Sequence, residues 1–154
     1  MENSIESLIR KNNGAIEALN VLSKGASFRV KVTEGEDVVI SKLSNSFLIT
    51  PFNPELCPDF TISSNIEIIS KVFDSCGGCS DVKAFLINST KTLMNSENRK
   101  HVSLSVHSGF IKLTMNGYFK ILTLGGREFL KTLSEYGIDS INTIRKKLAN
   151  FTNR

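Results

Sequence analysis

The stretch SFRVKV, residues 27–32, alternates apolar with polar or basic side chains. A period of two places Phe28, Val30 and Val32 on one face of an extended chain and the basic side chains on the other. This alternation begins directly after Gly25-Ala26, where a preceding helical periodicity stops. The sequence therefore predicts a half-buried strand here, and the rest of the predicted fold is built around it.

Two further strands are predicted immediately after the first. A polar turn at residues 34–37 leads to an apolar run at 38–43, and Ser44-Asn45 leads to another at 47–50. Short turns between such runs are typical of consecutive antiparallel strands. We therefore expect a meander of three strands.

The segments on either side of this meander indicate helices and more strands. Residues 1–24 carry helical spacing interrupted at Asn12-Asn13-Gly14, which predicts a broken helix. After a loop with three prolines, residues 59–63 alternate again. Ser64 and Glu67 then have the spacing of a capping box, which predicts that a helix begins there. A second helix is expected from Ser80, as its N-cap, to about Met94.

The later part of the chain predicts a second antiparallel unit. The run 101–107 alternates, and the runs 110–115 and 118–124 flank Asn116-Gly117, a strong hairpin signal. A helix is expected over 127–136. The whole pattern predicts an α+β fold, with a mainly antiparallel sheet of five to six strands covered on one face by helices. We expect one domain over residues 1–154, which ends in a basic amphipathic helix at 138–154.

Composition limits the classes of protein to which the chain can belong. It has 154 residues, of which 40% are hydrophobic and 22% are charged, as is ordinary for a globular domain. No apolar run approaches the ~18 residues of a membrane span, and the polar start Met1-Glu2-Asn3-Ser4 does not resemble a secretory signal. A cytoplasmic location is therefore expected, with the cysteines as free thiols.

The positive charge is concentrated at the C-terminus. The net charge is +4, and residues 141–154 carry four basic and no acidic side chains, so residues 1–140 are balanced. A neutral body offers little for neutralising phosphates, and no nucleic-acid partner is expected. The basic helix at 138–154 is suited to packing on the domain, to a protein partner or to weak contact with an anionic membrane.

Cys76-Gly77-Gly78-Cys79 leaves three interpretations open. A redox dithiol would make Cys76 and Cys79 the site of a thiol-disulfide oxidoreductase, but such a motif normally follows a strand, and a helix is predicted before this one. A zinc-stabilised interaction module would use Cys76 and Cys79 together with two of Cys57, His101 and His107. The third and favoured interpretation is a glycine turn between two helices, in which the thiols only pack.

No catalytic constellation can be assigned from spacing. The chain lacks a phosphate-binding glycine fingerprint, and neither histidine has an assignable nucleophile and acid beside it. A non-catalytic protein without a cofactor is therefore favoured over an enzyme.

Several motifs resemble those of the sterol carrier protein 2-like family. They are Phe28-Arg29-Val30-Lys31-Val32, Pro58-Asp59-Phe60-Thr61-Ile62 leading into a helix, and Gly109-Phe110-Ile111-Lys112-Leu113 before a closing helix. The resemblance covers roughly residues 18–133. In this chain the interval between the second and third motifs is longer than in the family, and Gly109 and Gly117 are farther apart.

The resemblance implies an α/β fold with an apolar cavity for a fatty acyl chain or other lipid, and no catalytic residues. The ten phenylalanines and the absence of tryptophan are compatible with an apolar interior that binds a hydrophobic small molecule by desolvation. The residues expected to line such a cavity are Phe47, Phe60, Ile62, Phe85 and Phe110.

Overall fold

A five-stranded sheet forms the centre of the computed structural model, which describes residues 4–74, 81–136 and 146. Its strands are β1 (Ser27–Val32), β2 (Asp37–Lys42), β3 (Phe47–Pro51), β4 (Phe60–Ser64) and β5 (Ser103–Val106). They lie in the order β3-β2-β1-β4-β5, and all neighbours are antiparallel except β1 and β4. The predicted three-stranded meander and the mainly antiparallel sheet are confirmed.

The register of the sheet places the alternating apolar residues of neighbouring strands side by side. Phe28 lies opposite Ile40 and Val30 opposite Val38, while Val30 is also paired with Ile62 of β4. One face of the sheet is therefore continuous and apolar. Arg29 and Thr61 pair across β1 and β4 on the other face.

Seven helices are found in the described residues, and they make the fold α+β as predicted. They are α1 (Ile5–Arg10), α2 (Asn13–Val21), α3 (Ile66–Asp74), α4 (Val82–Met94), α5 (Ser96–Arg99), α6 (Phe110–Met115) and α7 (Lys120–Glu135). Among the ranges that the structure covers, none of these helices is long and apolar enough to cross a membrane.

Helices α1, α2 and α3 cover the apolar face of the sheet. The buried side chains that they contribute include Ile5, Leu19 and Ile69, which join one hydrophobic cluster with Val30 and Ile40 of the sheet. The predicted break between α1 and α2 is confirmed. Its cause is Asn12, which caps α2 by accepting a hydrogen bond from the Ala15 N–H and donates one to the carbonyl of Phe73.

Two predicted helix starts are each wrong by one residue. The first turn of α3 is capped by Asn65, whose side chain accepts a hydrogen bond from the Ile68 N–H, while Ser64 remains in β4. Helix α4 is capped by Asp81, which accepts from the Lys83 N–H. At α3 the sheet uses the earlier residue, Ser64, and the next side chain with an acceptor takes the capping position.

The predicted hairpin around Asn116-Gly117 is wrong. Residues 110–115 form α6, and residues from 120 onward form α7. Gly117 has φ +89°, and the N–H groups of Gly117 and Tyr118 donate to the carbonyls of Thr114 and Leu113. This is a Schellman motif, which ends a helix with a glycine at positive φ.

Helix α7 contains the predicted helix over 127–136 as its second half. Gly126 interrupts it with φ +69° and ψ −165°, so the chain is kinked at the Gly125-Gly126 pair. The predicted strand 101–107 is confirmed in its middle, as β5. The Cys76–Cys79 turn and the C-terminal helix at 138–154 lie outside the described residues, apart from Lys146.

Candidate functional site

An apolar cavity lies where the sheet, α2 and α4 meet. Its volume is about 220 Å³. Its aliphatic walls are Ile9, Ala15, Ala18, Leu19, Leu22, Val30, Leu86 and Ile121. All of them except Ala15 belong to two hydrophobic clusters, one on the sheet and one between α2, α4 and α7. The cavity therefore lies at the junction of two packed layers that do not fill the space between them.

Two stacked pairs of phenylalanines form part of the wall. Phe28 and Phe60 come from adjacent strands, with ring centroids 5.1 Å apart and nearly parallel planes. Phe73 of α3 and Phe85 of α4 have centroids 5.9 Å apart. All four rings are half-buried. Aromatic rings contribute large apolar surfaces to the wall, and stacking stabilises each pair.

The approach of α2 to α4 beside the cavity depends on a glycine. A Cβ atom at Gly14 would lie 2.6 Å from Cβ of Phe85, which is closer than two carbon atoms can pack. The absence of a side chain at position 14 therefore lets Phe85 come close to α2, beside the cavity that it lines.

Tyr118 connects this apolar cavity to a buried polar network. Its ring lines the cavity and meets Phe60 edge-on at 5.4 Å. Its hydroxyl points the other way, 2.9 Å from Oδ2 of Asp59 and 3.1 Å from the carbonyl oxygen of Ser27. The apolar part of this side chain faces the cavity, and its polar end is bound within the protein.

The carboxylate of Asp59 is the centre of that polar network. Its side chain is 1% exposed, and it accepts hydrogen bonds from the Ser27 N–H, Ser108 Oγ, Asn116 Nδ2 and the Tyr118 hydroxyl. The ammonium group of Lys112 lies 3.5 Å from Oδ1. Four donors and one cation thus surround one carboxylate.

The hydrogen bonds to Asp59 set its protonation state. Burial would raise the pKa of this carboxyl, but the bonds from Ser108, Ser27, Tyr118 and Asn116 outweigh burial and hold the pKa below its usual range. The pKa of Tyr118 is raised by burial and by the neighbouring negative charge of Asp59. At neutral pH the pair is a carboxylate and a neutral phenol, so Tyr118 donates and does not act as a base.

The predicted lining residues are separated by the structure into two groups. Phe60 and Phe85 line the apolar cavity. Phe47 is buried in the core, where the guanidinium of Arg10 lies 4.9 Å from its ring centroid, and Ile62 packs against the same core. Phe110 lies beside Phe119, with centroids 5.0 Å apart. That any of these residues contacts a ligand stays a prediction.

The residues of the redox and zinc interpretations are not brought together by the described structure. Cys76 and Cys79 lie outside the described residues. Cys57 is exposed in a depression that it shares with His107, whereas His101 lines a different one beside Lys100. Within residues 4–74 and 81–136, no group of three histidine, cysteine or acidic side chains is placed to hold a metal ion.

Sequence reasoning missed both Asp59 and Tyr118. Asp59 stands between Pro58 and a strand, and its place there and in a motif that resembles a known family indicated no role for its carboxylate. Its partners at 108, 112, 116 and 118 are about 50 or more residues away in the sequence. Tyr118 was assigned to a strand of the predicted hairpin, where its hydroxyl had no assigned partner.

Comparisons with known proteins find few similarities. No protein family and no curated protein sequence matches this chain. Among solved structures, a protein described as "UbiJ-SCP2 Ubiquinone synthesis protein" is similar, at 12% sequence identity and a TM-score of 0.41, over 80% of this chain and 88% of that one. Its description includes the name of the family that the sequence motifs resemble, and the likeness concerns the fold alone.

Proposed function

We propose that this protein binds a small hydrophobic molecule, or the apolar end of a lipid, in the cavity between the sheet, α2 and α4, without catalysis. The observation that supports the proposal is the cavity itself, about 220 Å³ in volume and lined by apolar side chains and the ring of Tyr118. Pockets lined predominantly by apolar and aromatic side chains are typical sites for hydrophobic ligands.

The volume limits the size of the ligand. An apolar cavity of about 150 Å³ admits benzene, and at roughly 30 Å³ for each atom-sized group the cavity takes about seven heavy atoms. Drug-sized pockets begin at about 300 Å³. The proposed occupant is therefore one ring or about seven carbons of an alkyl chain, and a longer lipid would leave the remainder of its chain outside.

The chemistry of the lining limits the polarity of the ligand. The one lining residue with a polar side-chain atom is Tyr118, and its hydroxyl is bound to Asp59. A buried polar group on the ligand would lose its water without finding a partner. Binding is therefore expected to depend on desolvation, and a carboxylate or hydroxyl on the ligand is expected to remain in solvent.

A series of straight-chain fatty acids tests these limits. Dissociation constants are measured by calorimetry for chains of six to fourteen carbons. Each methylene group that enters the cavity is expected to improve affinity about fourfold, from ~0.8 kcal/mol per buried CH₂. The improvement is expected to stop at about eight carbons, when the cavity is full. Absence of saturable binding by every member of the series would reject the proposed function.

A variant that fills the cavity locates the binding site. Ala18 is buried and lines the cavity, so Ala18→Leu places new atoms in the space that the ligand would occupy. Affinity for the octanoyl chain is expected to fall at least tenfold, while thermal stability is kept or increased, because filling a cavity commonly stabilises a protein. The matched control is Ala84→Leu on α4, at a half-buried position away from the cavity lining. Equal affinity in both variants would place the ligand elsewhere.

A further inference from the structure

We infer that α6 is a docking site for an anionic lipid bilayer. Ile111 and Met115 lie one helical turn apart on α6, and their side chains are 75% and 72% exposed. They are the two most exposed large hydrophobic side chains in the described residues. Residues at positions i and i+4 share one face of a helix, so the two side chains form one apolar projection.

The charges on α6 and in the sequence around it favour an anionic partner. Lys112 of α6 and Lys120 at the start of α7 are exposed. From Asn98 to Arg127 the chain contains five basic residues and no acidic ones. The carboxylate that meets Lys112 belongs to Asp59, which is 1% exposed and so presents no negative charge at the surface. Apolar side chains flanked by lysines are typical of helices that lie in the interface of anionic membranes.

The size of the projection argues for a bilayer over a protein. A stable protein interface buries about 800 Å² on each partner, involving roughly 20 residues. Two side chains provide a small part of that area. A bilayer needs less, since each apolar side chain that enters the interface contributes independently and the headgroups supply charge without a matching shape. A second copy of this chain would face the same lysines with its own.

The attachment of α6 to the domain keeps the projection on the outside. Ser108 precedes the helix and Asn116 ends it, and both donate to the carboxylate of Asp59. Leu113 is the buried residue of α6, on the side that faces the domain. With both ends bound to one buried group, α6 cannot turn Ile111 and Met115 inward without breaking the Asp59 network.

The absence of tryptophan from the chain provides a clean test. Ile111→Trp introduces a single fluorophore at the projection, and Leu48→Trp introduces one at an exposed apolar position of β3. With vesicles of phosphatidylcholine and phosphatidylglycerol, the tryptophan at 111 is expected to shift to shorter wavelength and to be quenched by brominated chains, whereas the one at 48 is not. Vesicles of phosphatidylcholine alone are expected to cause little change, because the lysines then lack anionic headgroups.

Sedimentation with the same vesicles measures the strength of binding. We expect a partition coefficient on the order of 10⁴ M⁻¹, comparable to that of one myristoyl chain. The double variant Ile111→Ser with Met115→Ser is expected to reduce it at least about tenfold. The matched control replaces two exposed leucines elsewhere, Leu43→Ser with Leu48→Ser, and is expected to bind vesicles as the unmodified protein does.

Any of four results would overturn the inference. One is no binding to anionic vesicles, and another is equal quenching at 111 and 48. The third is binding that is abolished by neutralising Arg145, Lys146 and Lys147 but unaffected by the Ile111 and Met115 changes, which would assign it to the C-terminal segment. Self-association abolished by the same double variant, without vesicle binding, would assign the face to a second copy.

Ala18→Leu is expected to retain vesicle binding, so failure of the cavity proposal is distinguishable from failure of this one.

Discussion

Asp59 shows how one residue can organise distant parts of the chain. Its backbone N–H donates to Ser27 at the start of β1, and its carbonyl accepts from the N–H groups of His107 and Ser108 after β5. Its side chain holds α6 and Tyr118. A buried carboxylate is stable only when donors replace its water, and here four of them do so. The network therefore joins the sheet, α6 and one wall of the apolar cavity.

Replacing this carboxylate is expected to destabilise the whole protein. Asp59→Asn keeps the shape of the side chain but removes its charge and turns an amide NH₂ toward groups that themselves donate. The expected loss in the free energy of unfolding is about 2–4 kcal/mol, measured by urea denaturation. Asp81→Asn, at an exposed helix cap where asparagine is equally suitable, serves as the control and is expected to change stability by less than about 0.5 kcal/mol. Similar losses in the two variants would contradict a special role for Asp59.

The pH dependence of stability follows from the lowered pKa of Asp59. In the unfolded chain an aspartate titrates at about 3.9, whereas in the folded protein its pKa lies lower. The stabilisation is therefore complete above that unfolded value and is lost as the pH falls through the folded value. Urea denaturation at pH 7, 5, 4 and 3 is expected to show a loss of stability beginning near pH 4.

Comparison with two variants separates the sources of this loss. Asp59→Asn is expected to lose less stability than the unmodified protein between pH 5 and 3. Some dependence of stability on pH is expected to remain in this variant, because hydrogen bonding to Arg29 lowers the pKa of Asp37 as well. Asp37→Asn is expected to remove that part. Parallel curves for Asp59→Asn and the unmodified protein would show that Asp59 does not carry the effect.

At the scale of elements, Asn116-Gly117 shows that one local signal serves two structures. The pair indicates a residue with positive φ, and Gly117 has one. Positive φ occurs both in type I′ hairpin turns and in the glycine that ends a helix. The residues that attach α6 to the domain determine that the helix end forms here and not the hairpin. Ser108 and Asn116 both bind Asp59, and eight extended residues would separate them by about 26 Å.

Alanine substitution at two glycines tests this helix end. A Cβ at Gly117 would lie 3.1 Å from the carbonyl oxygen of Val21 and 3.2 Å from the backbone nitrogen of Ser23, in addition to the positive φ. Gly25 has φ +96° but no atom within 4 Å of such a Cβ. Gly25→Ala is expected to cost about 1–2 kcal/mol from backbone strain alone. Gly117→Ala is expected to cost about 1 kcal/mol more, from crowding against α2.

Urea denaturation of both variants measures the difference between the two glycines. Equal costs would show that Gly117 is needed only for its backbone conformation. A larger loss at Gly25 would contradict the crowding inferred between the α6–α7 turn and the end of α2.

At the scale of the whole molecule, the cavity is expected to couple ligand binding to folding. A ligand that binds only the folded protein stabilises it by about 2.7 kcal/mol when present at 100 times its dissociation constant. Octanoate at that excess is therefore expected to raise the melting temperature of the unmodified protein, measured by calorimetry, by several degrees. Ala18→Leu, with its cavity filled, is expected to show no such rise at the same concentration. A rise of equal size in both proteins would indicate binding outside the cavity.

The local patterns of the sequence were sufficient for the strands and most helices. Alternation at 27–32 predicted β1, because a strand with one buried face must repeat with period two, and the run at 38–43 between two polar turns predicted β2. Asn12-Asn13-Gly14 predicted the break between α1 and α2, since asparagine caps a helix through its own side chain. These features depend on residues close together in the chain, and so a short window contains their cause.

The cavity and the Asp59 network were decided by the tertiary structure. Phe60 and Phe85 border the cavity, but an apolar side chain has the same sequence pattern whether it fills a core or borders a space. The packing of α2 and α4 against their neighbours in the tertiary structure leaves the space that these side chains line. Likewise, residues 110–115 have a strand-like pattern in the sequence and yet form a helix. The reason is that Ser108 and Asn116, on either side of them, both donate to the carboxylate of Asp59, directly before β4. Local helix and strand preferences follow from short-range sterics and are therefore visible in the sequence pattern. A charge can be buried only where folding brings hydrogen-bond donors together from distant parts of the chain.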